Sequence, residues 1–250
     1  MSGWDPVFVL LAGIWAGTIN TVVGSGTLIS FPVLLAVGLS PITANISNTV
    51  GLFPGSFVGA YGYRHELTGQ RSRAITMGAA STIGAVAGAV LLLVLPANAF
   101  KAIVPVLIVL ALLLVLFGPR LTKWLGTTRH AASSRVGLPL WLGTLGTGVY
   151  GGYFGAAQGV LLMGLFGLFL DEPLQRQNAL KNVLAGIVNL VAAIVFVITA
   201  PVNWTAAGLI AIGSVVGAII GARIGRRLPP NVLRATIVLV GLAAIVKLLV

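Results

Sequence analysis

Two stretches of this chain repeat one pattern at a fixed spacing. Asn45, Val50, Ser81, Gly84, Gly88, Pro96, Asn98 and Ala102 recur 133 positions later as Asn178, Val183, Ser214, Gly217, Gly221, Pro229, Asn231 and Ala235. Each copy follows a long apolar run broken by glycines near its middle, Pro6–Val37 in the first half and Leu138–Leu170 in the second. An internal repeat with interrupted hydrophobic segments at matching positions restricts the architecture to a few membrane folds, those of secondary transporters foremost.

The composition sets the solvent. Hydrophobic residues make up 58% of the 250 and charged residues 8%, against about 25% charged in soluble domains. Such a chain buries its surface in a bilayer. The remaining apolar runs are Pro41–Tyr63, Ala74–Leu95, Asn98–Phe117, Pro173–Ala200, Trp204–Ala222 and Asn231–Val250, and all are expected to be helices, which satisfy their own backbone in lipid. The predicted fold is an all-α integral membrane protein. It has two inverted repeats, each a glycine-broken helical hairpin followed by three transmembrane helices. Residues 1–118 form the first repeat, 119–136 a cytoplasmic linker and 137–250 the second repeat.

The chemistry left to such a chain is narrow. With no cysteine, two histidines and four acidic residues, thiolate metal sites and paired-carboxylate catalysis have no material. No Walker-type phosphate loop is present. No enzyme activity, catalytic residue, metal or cofactor is expected. The net charge of +11 does not imply nucleic acid, because the basic residues cluster in short loops between apolar runs, where they set topology.

Those charges discriminate between two topologies. The broken runs of about 33 residues would each span ~50 Å as one straight helix, against a hydrocarbon core of ~30 Å. Each is therefore one steeply tilted helix or a hairpin of two short ones. Eight single crossings divide the basic residues eight to six. Two hairpins that return to their starting side put twelve inside (Arg64, Arg71, Arg73, Arg120, Lys123, Arg129, Arg135, Arg176, Arg223, Arg226, Arg227 and Arg234) and only Lys101 and Lys247 outside. The positive-inside rule favours the hairpins, with inverted repeats and both termini outside.

Two sets of residues are candidates for substrate contact. The first is the breaks, Gly24, Ser25, Gly26 and Thr27 in one copy and Gln158 and Gly159 in the other. A half-helix starting there turns its positive end toward the break, and glycine lets an anion approach the backbone. The second is a polar stripe. Asn45, Asn48 and Thr49 share a helix face at i, i+3 and i+4. Asn178, Lys181 and Asn182 hold the equivalent positions, and Ser56 and Asn189 extend the stripe. Lys181 stands about 12 Å into its helix, where it either lines an anion path or snorkels to the interface. The pairs Gly51/Gly55, Gly84/Gly88 and Gly217/Gly221 read as helix-packing glycines. Asp171 and Glu172, just before Pro173, read as acids favouring a helix start.

The segment Ala16-Gly-Thr-Ile-Asn-Thr-Val-Val-Gly-Ser-Gly-Thr-Leu-Ile-Ser-Phe-Pro32, with Leu39-Ser-Pro-Ile-Thr-Ala-Asn-Ile-Ser-Asn-Thr-Val50, resembles the TauE/SafE sulfite exporter family. Gly155–Met163 and Asn178–Val183 resemble its second half, departing from the family's plain glycine run at Ala156, Ala157 and Gln158. The resemblance covers nearly the whole chain. It implies a permease of the bacterial inner membrane for small sulfur oxyanions or organosulfonates. The repeats and breaks themselves predict a multi-pass exporter with a midplane site between the copies and alternating access. The partners expected are a small anionic substrate, the lipid bilayer and a possible homo-oligomer. A passive anion channel would share the breaks and the lysine, and a membrane scaffold without substrate would share the fold.

Overall fold

The protein is described from a computed structural model that covers residues 3–126, 136–224 and 239. All regular structure among them is helical. Nine α-helices follow in order: α1 (Asp5–Val22), α2 (Thr27–Ala36), α3 (Pro41–Gly62), α4 (Arg71–Val94), α5 (Ala97–Gly126), α6 (Leu138–Tyr153), α7 (Gln158–Phe169), α8 (Leu174–Thr199) and α9 (Trp204–Ile224). The short 3-10 turn Arg64–Leu67 precedes α4. The final apolar run Asn231–Val250 (apart from Leu239), the basic residues beyond Ile224 and the linker from 127 to 135 lie outside the described residues.

The helix starts reproduce the repeat. Asp5, Pro41 and Arg71 open α1, α3 and α4, while Leu138, Leu174 and Trp204 open α6, α8 and α9 at the 133-residue offset. Local chemistry fixes several of them. Pro6 and Pro139 fall in the first turn, where a missing N–H costs nothing. Ser40 caps α3, its Oγ accepting from Thr43 N at 3.3 Å. Helix α5 runs on to Gly126 and takes up the start of the segment expected to be linker. Between Pro119 and Gly126 no glycine or proline intervenes to stop a helix already under way.

Both long runs are broken where the glycines predict. Backbone φ is +88° at Gly24 and +76° at Gly155, and Ala157, the repeat equivalent of Gly24, stands at +58°. After each break the chain doubles back. A Cβ added at Gly26 would lie 2.4 Å from Ala16 O, so α2 starts against the last turns of α1. Helices α1 and α2 rise about 27 and 15 Å, so the second arm is too short to cross a bilayer alone.

The packing exchanges partners between the copies. Helix α1 lies along α9, and its equivalent α6 lies along α4. Glycines make both contacts close. A Cβ at Gly84 or Gly88 would stand 2.3 Å from Leu145 O or 2.0 Å from Val149 O of α6. At the equivalent Gly217, it would stand 2.0 Å from Ile14 O of α1. Gly51 and Gly55 of α3 meet Ala207 and Ser214 of α9 in the same way. These are backbone-to-backbone seams of the small-xxx-small type. Helix α3 also packs against α8.

Among the described residues, five segments are long and apolar enough to span a membrane: α1, α4, Asn98–Phe117 of α5, α8 and α9. The protein is a multi-pass membrane protein. Large apolar side chains are exposed along the helices, among them Val90, Leu91 and Val94 of α4 and Ile194, Val197 and Ile198 of α8, as a lipid-facing surface requires. The polar stripe instead turns inward. Asn45, Asn48, Thr49, Ser56, Asn178, Lys181 and Asn182 are all buried.

One end of the molecule is tied by charge. Glu172, in the α7–α8 connection, accepts from Arg73 Nη1 and from Arg176 Nε, each at 2.6 Å. Gln70 Nε2 adds a bond to Arg176 O at 3.1 Å. The α3–α4 and α7–α8 connections therefore meet on the same end. Glu172 stands just before the α8 start as expected, but no side chain caps α8, and the carboxylate serves the two arginines. Its partial burial pushes the carboxyl upward, but hydrogen bonds and charge from Arg73 and Arg176 outweigh this and hold it below its ordinary range.

Candidate functional site

The two breaks meet at the centre of the molecule. Gly159 N donates to Gly24 O at 3.0 Å, and an added Cβ on Gly159 would lie 2.5 Å from Gly24 Cα. Only residues without side chains allow that approach. Gly26 and Ala157 cap the short helices α2 and α7 on either side. Much of the donor capacity expected at these helix starts is already used. Gln158 N bonds Gly155 O, Val160 N bonds Ala157 O and Ile29 N bonds Gly26 O. In this conformation side chains carry most of the remaining polar capacity.

The stripe on α8 closes over the end of α1. Helix ends leave their last carbonyls without partners. Lys181 Nζ donates to Asn20 O at 3.0 Å and to Thr21 O at 3.1 Å. Thr21 O also accepts from Asn182 Nδ2 at 3.2 Å and from Asn178 Nδ2 at 3.3 Å. Three side chains of one copy thus hold the negative end of the other copy's first helix. The equivalent end of α6 is held by Asn45, whose Nδ2 donates to Tyr153 O at 3.0 Å.

Lys181 does not snorkel. It is 0% exposed, and its stem lies against Gly159, where an added Cβ would be 3.0 Å from Lys181 Cδ. Its hydrogen-bond partners are carbonyls, and the ion pairs among the described residues do not include it. Asn48, its equivalent in the first copy, bonds Thr27 Oγ1 at 3.3 Å and accepts from Ser30 Oγ, which ties α3 to the start of α2.

The predicted residues are thus mostly gathered. Gly24, Gly26 and Thr27 meet Gly159, Asn48 and the α1 end; Asn178, Lys181 and Asn182 converge on Thr21. Thr49 stands apart, its hydroxyl bonding Asn45 O on its own helix at 3.0 Å. Several buried polar atoms have no partner among the described residues: Ser25 Oγ, Gln158 Nε2, Asn45 Oδ1, Asn178 Oδ1 and Tyr153 Oη. Buried polar groups are ordinarily paired, so such a group calls for water or a ligand. Tyr153 and Thr21 were not legible as site residues. Tyr153 is the last residue of α6, directly before the second break, and carries no polar pattern with its neighbours, while Thr21 contributes its main-chain oxygen.

Comparison with known proteins bears on what a centre of this kind serves. The description "Sulfite exporter TauE/SafE" matches residues 9–248. The chain belongs to the sulfite exporter TauE/SafE family. This TauE/SafE protein is a membrane transporter, and its relatives are named accordingly. It is 27% identical over 236 residues to "Probable membrane transporter protein YfcA" of Escherichia coli (strain K12), covering 94% of this chain and 86% of that one. It is 27% identical over 244 residues to "Probable membrane transporter protein ORF9" of Sinorhizobium sp, covering 97% and 91%. No solved structure matches this TauE/SafE chain at a significant level.

Proposed function

We propose that the protein is a secondary transporter of the bacterial inner membrane that exports small sulfur-containing anions, such as sulfite or organosulfonates. The observation that carries the anion is Lys181. Among the described residues, the fully buried Lys181 amine is held by two helix-end carbonyls and by no carboxylate. Burial of an unpaired charge is costly, and ionisable residues inside membranes mark substrate paths. An anion at the crossing of the breaks supplies the missing charge. The family description supports sulfur as its chemistry. Ser25, Gln158, Asn45 and Asn178 complete the site from both copies.

The mechanism proposed is alternating access around this midplane site, between inverted repeats. The ion pair of Arg73 with Glu172 supports the inversion. It joins two connections that eight single crossings would leave on opposite faces. The direct Gly159–Gly24 bond supports a centre closed by backbone contact rather than a continuous pore. Export along the membrane potential needs no ATP, since an anion leaving a negative interior gains about 2.3 kcal/mol per charge per 100 mV.

The test is flux of sulfite and of organosulfonates from liposomes containing the purified chain. Lys181→Met is expected to lower affinity roughly ten- to a hundredfold, the worth of one charge-assisted contact, while Lys181→Arg retains part of the flux. Wild-type affinity and flux in Lys181→Met would remove the lysine from the site.

A further inference from the structure

We propose that the central site reads a proton on its substrate, selecting anions that carry their own hydrogen-bond donor over equally charged anions that do not. This rests on the anion reading above and adds a selection rule to it.

The argument starts from two amides at equivalent positions. Asn178 spends Nδ2 on Thr21 O at 3.3 Å, and Asn45 spends Nδ2 on Tyr153 O at 3.0 Å. These bonds fix which end of each amide is which, because the flipped group would set oxygen against a carbonyl oxygen. In both residues Oδ1 is left buried and without a partner among the described residues, although the side chains are only 6% and 1% exposed. An amide oxygen can accept and never donate. The repeat has therefore kept an acceptor in each half where an anion site would ordinarily supply donors.

The cation stands beside one of them. Lys181 Nζ and Asn178 Nδ2 share Thr21 O, at 3.1 and 3.3 Å. An ammonium and a fixed acceptor are thus neighbours. An anionic oxygen suits the first, and only an O–H or N–H suits the second. Gln158 Nε2 and Ser25 Oγ offer further unpaired groups at the break. A fully deprotonated oxyanion would face the amide oxygens with lone pairs and leave them unpaired, and sites built around a hydrogen bond reject ligands that cannot make it. Hydrogen sulfite and sulfonates bearing a hydroxyl or ammonium group meet the requirement. Sulfate and the simple alkanesulfonates do not.

Two probes isolate the proton. At mildly acidic pH methylphosphonate and methanesulfonate are both monoanions of closely similar shape, and only methylphosphonate keeps an O–H. Calorimetry on the purified full chain in detergent should find methylphosphonate bound roughly ten- to a hundredfold more tightly, the cost of leaving a buried acceptor unmet. Asn178→Leu should erase most of this preference, since Lys181 and Asn182 still hold Thr21 O; Asn45→Leu serves if that variant does not fold. Lys181→Met should weaken both probes alike. Equal binding of the two probes to the wild type, or tighter binding of methanesulfonate, would overturn the selection rule and leave the anion site standing. Failure of both to bind would overturn the anion reading itself.

Discussion

Asn189 Nδ2 donates to Ser56 Oγ at 3.2 Å, and the two residues are 133 positions apart, which is the repeat spacing. Equivalent residues of the two copies therefore touch each other where α3 packs on α8. Ser56 Oγ also accepts from Asn20 Nδ2 at 3.2 Å and donates to Leu52 O at 3.1 Å. One hydroxyl thus serves three helices.

Ser56→Ala should be more damaging than its size suggests. It leaves the half-buried amides of Asn20 and Asn189 without their acceptor, which places the cost toward the lower end of the about 1–3 kcal/mol of an unmet buried donor. Asn189→Ala should cost less, because Ser56 keeps its other two bonds. Thermal unfolding in detergent measures both; equal melting temperatures for the two variants would mean that the hydroxyl is not the shared node.

The Arg64–Arg73 connection and the Glu172 connection should both face the cytoplasm. They are bonded to one another, and they carry several of the twelve basic residues assigned inside. The chain has no cysteine, so single cysteines at His65 and Gln175 report cleanly. Labelling of either by an impermeant reagent from the periplasmic side would refute this orientation.

Glu172 should act as a clamp whose strength depends on pH. Its carboxyl is held below the ordinary range in the folded protein. Its contribution is therefore full above the unfolded value and is lost as pH falls through the lowered folded value. Glu172→Gln should destabilise the protein at neutral pH, by no more than about 1 kcal/mol for a partly solvated ion pair. The difference should vanish in acid, below the carboxylate range. A melting-temperature difference that is flat across that range would show that charge is not what Glu172 contributes.

Gly88→Leu and Gly217→Leu should abolish folding rather than transport alone. Each adds bulk where a single Cβ already falls 2.0 Å from a carbonyl oxygen. Gly159→Leu mixes two effects, since Gly159 touches both Gly24 and Lys181. Ser25→Ala is the cleaner probe of the break, because Ser25 Oγ has no partner among the described residues to lose. Monodisperse elution with reduced flux is the expected result for Ser25→Ala, and aggregation is expected for the two seam variants.

Local signals in the sequence were enough to locate the breaks, the stripe and the seams. Gly24 and Gly155 mark left-handed turns because the backbone demands them, and Gly84 and Gly217 fall at matching places because both copies pack alike. Contacts between distant residues were hidden. Glu172 reads as a helix-start acid beside Pro173, since nothing in its neighbourhood reveals Arg73, 99 positions earlier. Lys181 divides evenly between an anion path and the interface until Asn20 and Thr21 are seen beneath it. The partner exchange of α1 and α6 has no sequence signature, because an apolar glycine seam looks the same whichever helix fills it.

That exchange bears on how the chain is made. Helix α1 leaves the ribosome first, yet the surface against which it seats, α9, is not synthesised until residue 204 and beyond. Through most of translation the first helix waits in lipid with its glycine face bare, while α4 is covered as soon as α6 arrives. Assembly must therefore close backwards, with the last-made helices completing the first. A fragment ending after α5 holds no native seam for either α1 or α4, and only the second half, supplied in cis or in trans, can provide them.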